Sequence, residues 1–308
     1  MTALIDLKSF NVDDSEVSLW VFKGPSGPAN DPPQYTARWV SISNEVRAAL
    51  KDIVLSQRDS IEEVLEYDLL AQNNEGSVLT IGSAETHAVN VIDATAEEIE
   101  GKKVRTNAQL WNNKFYVIKL THAESCLRAI RMTGKDWRLK RGASARSFIF
   151  QDSQLNVDDR PQFRVNDGVD FFLIDQHVLI KTKKVFESVL RYKQAHINDF
   201  GELSKEADFL SIFDDLTPLN EHVGSNKIQL RRMSAVRQKG HYKDPNFMKN
   251  LRDQAKEFGF NIRFSDDGKI VIDQDTCAEV ITALLDHRLR SAFSKQIYDV
   301  PSTTQVAL

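Results

Sequence analysis

The chain has 308 residues, 41% apolar and 27% charged, with a net charge of −4 and two cysteines, Cys126 and Cys277. That balance fits an ordinary globular protein with a sizeable core, and it excludes a disordered chain, a disulfide framework and a Cys-based zinc site. The longest apolar stretches, such as 171–174 and 280–285, fall far short of the roughly 20 residues that span a bilayer, and the start of the chain lacks a signal-peptide pattern. A cytoplasmic protein is expected.

Alternation over 17–22 predicts a strand, and Gly24-Pro25-Ser26-Gly27-Pro28 with Asp31-Pro32-Pro33 predicts a loop. A strand over 35–42 leads to Ser43 or Asn44 as the cap of a helix carrying Val46, Leu50, Ile53 and Val54. Strands follow at 78–81 and 115–118, separated by a poorly patterned stretch, 95–107, where a domain boundary is expected. Residues 169–174 and 178–180 flank Asp175-Gln176-His177 as a hairpin, and Val185, Phe186, Val189 and Leu190 then repeat at helical spacing. A further helix is predicted over 204–213. Asp244-Pro245 opens another, with Phe247, Met248, Leu251, Ala255 and Phe258 on one face before Gly259. A hairpin turns at Ser265-Asp266-Asp267-Gly268, and Thr276 with Glu279 has the capping-box spacing of a last helix, whose stripe is Val280, Ile281, Leu284, Leu285 and Leu289. Hairpins alternating with helices predict an α+β fold with mixed and antiparallel sheets in two domains. These are an acidic one at 1–110 and a basic one at 111–300, before a mobile tail at 301–308.

Charge is unevenly spread. Residues 1–100 carry 6 Lys and Arg against 18 Asp and Glu, a net −12, which leaves the remainder at +8. Residues 227–243 hold Lys227, Arg231, Arg232, Arg237, Lys239 and Lys243 with no acid, a local +6, and run into the N-terminus of the Asp244-Pro245 helix, where backbone N–H groups favour anions. Residues 131–146 reach +5 through Arg131, Lys135, Arg138, Lys140, Arg141 and Arg146 against Asp136, and read as a flexible basic loop. Residues 181–193 reach +4 with Lys181, Lys183, Lys184, Arg191 and Lys193 against Glu187. Such concentration suits phosphate binding without base reading. It suits equally a solvated face or an adaptor surface that meets an acidic protein or the membrane.

No phosphate-binding loop, GxGxxG, HExxH, paired CxxC or GxSxG occurs in the chain, so no catalytic residue, metal ligand or cofactor is assigned. A metal-dependent nuclease is the rival reading. Asp170 and Asp175 precede Lys181, but Leu179 stands where a second carboxylate belongs.

The segments VDFFLIDQHVLIKTKKVFESVLRY and DDGKIVIDQ with LLDHRLRSAFSKQIYDV resemble the KwaB family of the Kiwa anti-phage defence system, over roughly residues 165–300. The resemblance implies a bacterial cytoplasmic protein that binds DNA without an obvious active site and works with a membrane partner, KwaA, to impede phage DNA replication. Double-stranded DNA is the expected ligand, and the partner can recruit the protein to the inner membrane. A homo-oligomer, a dimer, is expected. Arg231, Arg232, Arg237 and Lys239 are placed at the centre of phosphate contact from charge clustering alone, with Lys227, Lys243, Arg138, Lys140, Arg141, Lys183 and Lys184 extending it.

Overall fold

A computed structural model describes residues 2–28, 32–70, 73–134, 137, 148–151, 154–157, 163–192 and 199–300. The chain divides into two units, residues 1–65 with 73–191 and residues 66–72 with 192–308. The expected boundary after residue 110 falls inside unit 1, where a strand that precedes it pairs with one that follows.

Unit 1 contains α1 (Thr2–Ser9), β1 (Glu16–Phe22), β2 (Ala37–Val40), α2 (Asn44–Asp59), β3 (Glu63–Glu66) and β4 (Ser77–Gly82), then α3 (Ala88–Ala94), β5 (Phe115–His122) and β6 (Ser125–Met132). The short pair β7 (Phe148–Gln151) and β8 (Gln154–Val157) precedes β9 (Phe171–Ile174), β10 (His177–Ile180) and α4 (Lys183–Val189). Eight strands form one sheet in the order β2-β1-β5-β6-β9-β10-β4-β3. Neighbours from β2 across to β4 are antiparallel. One rung of the ladder runs through Leu19, Ile118, Ala129, Phe172 and Leu179. All five lie in one core cluster with Leu7 of α1, Leu50 and Val54 of α2, and Trp137. The adjacent rung, Ser18, Lys119, Arg128, Leu173 and Val178, points to the opposite face because side chains alternate along a strand.

Unit 2 is mainly helical, with α5 (Asp199–Leu203), α6 (Ala207–Ser211), α7 (Thr217–Val223), α8 (Lys227–Lys239) and α9 (Pro245–Gln254). The hairpin of β11 (Arg263–Phe264) and β12 (Ile270–Val271) follows, then α10 (Cys277–Leu284) and a second hairpin, β13 (Arg288–Arg290) with β14 (Ile297–Asp299). Phe209 packs edge-on against both Phe213 and Tyr242 in its interior. Helices beside antiparallel sheets make the architecture α+β, as expected. Among the described residues no helix is long and apolar enough to cross a membrane.

Several local expectations hold. The Ser43 side chain accepts from Val46 N and caps α2, and Asp244 accepts from Asn246 N and caps α9. Asp175 turns the β9–β10 hairpin at φ 47°. Others change. The helix expected over 204–213 is confined to α6, Ala207–Ser211, and a separate short helix, α5, ends before it at Leu203. The capping box at Thr276 does not form. Thr276 bonds Asp273 through its hydroxyl, and Glu279 accepts from Asn261 N at 2.6 Å. The last helix stops at Leu284, so Leu289 sits on β13 and is 41% exposed, not in a buried stripe.

Candidate nucleic-acid interface

The most basic segment folds as a helix. Asn226 accepts from Ile228 N and Gln229 N at its start, and Gly240 ends it in the left-handed region at φ 65°. Met233, Ser234, Ala235 and Val236 are buried in succession, which anchors α8 within unit 2.

Its cations are largely partnered inside the protein. Arg231 Nε donates to Leu69 O at 2.7 Å, and Arg232 Nη2 donates to Thr282 Oγ1 at 2.8 Å. Burial lowers the Arg232 pKa from its usual value, with Asp299 opposing the shift. Arg237 bridges two acids, donating to Glu206 at 2.8 Å and Asp199 at 3.0 Å. Burial acts against its charge, but the two carboxylates outweigh it and raise the pKa. Lys239 lies 3.4 Å from Asp68 with both side chains mostly covered. Lys243 is 3.3 Å from Glu206 and 49% exposed at its side chain, and Lys227 is exposed at the start of α8.

Glu206 is the hub of this network. It takes the Tyr242 hydroxyl at 2.8 Å as well as Arg237, and those bonds, the Tyr242 one foremost, hold its pKa below the usual carboxylate value. The anion at the N-terminus of α9 is likewise the protein's own Asp244 carboxylate, where the sequence pointed to an external phosphate.

Lys183 and Lys184 begin α4 in unit 1, Lys184 exposed. Arg138, Lys140 and Arg141 lie outside the described residues, as do Lys135, Arg146 and Lys193. Arg131 is part of strand β6 and not of a loop. Its guanidinium donates to Asp170 at 2.8 Å, and Met132 N donates to the other carboxylate oxygen at 2.7 Å.

Those bonds bear on the nuclease reading. Asp170 is 2% exposed and already satisfied. Lys181 Nζ donates to Gln57 Oε1 at 2.8 Å and Ser60 Oγ at 2.9 Å, and burial lowers its pKa. Asp175 stands at the far end of β9, five residues or roughly 17 Å along an extended chain. The Asp170 and Lys181 side chains have separate partners although their backbones are hydrogen-bonded, and among the described residues no group of three or more His, Cys, Asp or Glu converges on a metal-sized point.

Sequence reasoning missed a second feature of unit 2. Phe247, Asn250, Leu251, Gln254, Ala255, Phe258, Phe260, Ala283, Asp286 and Arg288 line a cleft of about 230 Å³. The apolar spacing on α9 was legible, but as a buried face. Phe260, contributed after the helix, and the polar residues beyond α10 could not be linked to it from spacing alone.

Fold and site together define an α+β protein whose unit 2 carries a helix-borne cluster of cations beside an aromatic cleft. The family described as Kiwa protein KwaB-like matches residues 110–294, more than half of the chain, and the protein belongs to that family. It is therefore a component of Kiwa anti-phage defence. No curated protein and no solved structure matches the chain.

Proposed function

We propose that the protein is a non-enzymatic effector of Kiwa defence that binds double-stranded DNA through phosphate contacts on unit 2 and so impedes phage DNA replication. The observation that carries this reading is the run of six cations without an acid over 227–243. Lys227 and Lys243 offer exposed ammonium groups at its two ends, and Arg231 and Arg232 lie between them. Arg237 and Lys239 take part by exchanging their carboxylate partners for phosphate. Binding of this kind positions the protein without reading sequence. Membership of a multi-protein defence system supports a KwaA-like membrane protein as partner, with the chain acting as a homodimer.

The test is anisotropy of two unrelated labelled duplexes between 50 and 200 mM salt with magnesium present, the DNA being checked afterwards for cleavage. Log affinity should fall linearly with log salt, by about 0.9 for each phosphate neutralised. Replacing Arg231 and Arg232 by Gln should weaken both duplexes alike and flatten the slope. Unchanged binding by that folded variant removes the site assignment, and cleavage of the DNA removes the non-enzymatic reading.

A further inference from the structure

We propose that the aromatic cleft of unit 2 binds a nucleobase bearing an exocyclic amine, carried either by a free nucleotide or by an unpaired nucleotide of a nucleic acid. The lining of the cleft is largely apolar. Phe247, Phe258 and Phe260 line it, and each ring is held by a further group: His241 stacks on Phe247 at 4.7 Å and 14°, Arg290 lies 4.9 Å from the Phe258 centroid, and Arg288 lies 4.1 Å from that of Phe260. Fixed aromatic walls favour a planar unsaturated ring, because stacking is strongest between flat faces and loses little entropy when the walls are already ordered.

The polar lining narrows the chemistry. Asn250 and Gln254 are one turn apart on α9, and Asp286 follows α10 at φ 55°. None of these three side chains makes a hydrogen bond or ion pair among the described residues, although all line the cleft. Arg288, by contrast, is engaged with both oxygens of Asp299, at 2.6 and 3.2 Å, and with the carbonyl of Gly259 at 3.0 Å. The groups left for a ligand are therefore two amides, which both donate and accept, and one carboxylate, which accepts only. Amides pair with the mixed edges of bases. An ionised carboxylate repels phosphate and selects an N–H donor, so the base enters and the phosphate stays outside. Adenine, cytosine and guanine present an exocyclic amine to it, whereas the ring N–H of uracil and thymine is flanked by two carbonyl oxygens that a carboxylate repels.

Size agrees. The cleft is smaller than the roughly 300–1,000 Å³ typical of sites for drug-sized ligands, which leaves room for one ring system and places the sugar in solvent. The assignment does not depend on phosphate contacts at Arg231 and Arg232.

Titration calorimetry of the full chain with AMP, CMP and UMP tests it, together with fluorescence of 2-aminopurine placed in single-stranded and duplex oligonucleotides. AMP and CMP should bind saturably and about tenfold tighter than UMP, the worth of one charge-assisted hydrogen bond. Asp286→Asn, which tolerates the same backbone region, should abolish that preference, and Asn250→Ala at an exposed helix position should weaken all three nucleotides. Binding of free AMP identifies a nucleotide site. Binding of the oligonucleotide alone, lost when the probed residue is made abasic, identifies an unpaired base of nucleic acid. No heat with any nucleotide and unchanged 2-aminopurine fluorescence in both oligonucleotides would overturn the proposal, as would UMP binding as tightly as AMP. Retention of AMP binding in the Arg231 and Arg232 double variant, alongside lost duplex binding, separates this site from the phosphate contacts.

Discussion

Acidification should weaken unit 2 through one imidazole. His287 is 4% exposed between α10 and β13, and among the described residues its buried Nε2 has no hydrogen-bond partner. Burial depresses its pKa to about 4, helped by Lys239 and Arg232 and opposed by Asp68 and Asp286. At pH 7.5 the ring is neutral in both folded and unfolded chains. As pH falls through 6.5 the unfolded chain takes up the proton first, so stability is full above that value and is lost progressively down to about pH 4. With those two values the loss between pH 7.5 and pH 5.0 is about 2 kcal/mol, and about 3 kcal/mol in the acid limit. Burial also lowers the pKa of His241 and His87, so they act in the same direction and the whole protein should lose more than His287 alone accounts for. His287→Phe isolates the term. Urea unfolding followed by far-UV ellipticity at both pH values should show the variant losing about 2 kcal/mol less than the parent. Tryptophan fluorescence, recorded in parallel, reports unit 1, since Trp20, Trp39, Trp111 and Trp137 all lie there. An equal acid loss in parent and variant would refute the reasoning.

Asp170→Ala should cost about 3 kcal/mol, because it strands Arg131 and Met132 N beside a buried site; a change below 1 kcal/mol in urea unfolding by tryptophan fluorescence would contradict it. Arg128→Leu should be nearly neutral or stabilising, since the guanidinium is buried with no carboxylate within ion-pair range among the described residues and donates through Nε to Thr95 Oγ1; a large loss of stability in the same assay would count against it. Glu206→Gln should lower stability by about 1–2 kcal/mol while tightening duplex binding severalfold, because it removes the resident carboxylate beside Arg237 and Lys243. Anisotropy and urea unfolding read the two effects separately.

The parts of the fold that local chemistry decides were legible: the cap at Ser43, the Asp175 turn and the Asp244-Pro245 start each rest on residues within a few positions of one another. Helix α8 was seen only as charge, because its long cationic side chains obscure a short buried face centred on Met233 and Val236. Strand β6 was hidden for a similar reason, with Arg128 and Arg131 occupying positions where apolar residues would have marked it. The counter-charges of the candidate interface were invisible in sequence. Asp68 lies far upstream of Lys239, and Asp199 and Glu206 sit on or beside other helices, so only the tertiary fold shows how much of the basic segment is already neutralised.

The face of the sheet that carries Lys119 and Arg128 also constrains the order in which unit 1 assembles. Lys119 Nζ donates to Thr95 O at 2.8 Å and Ala96 O at 2.9 Å, and Arg128 Nε donates to Thr95 Oγ1 at 2.9 Å, all at the C-terminal end of α3. That helix has only seven residues and no basic residue in its own last turn, and helices so short do not persist alone in water. The polar groups that follow its last turn, the Thr95 and Ala96 carbonyls and the Thr95 hydroxyl, wait for side chains of two strands that come later in the chain. Pulse-labelled hydrogen exchange during refolding should therefore protect the β5–β6 amides before those of α3.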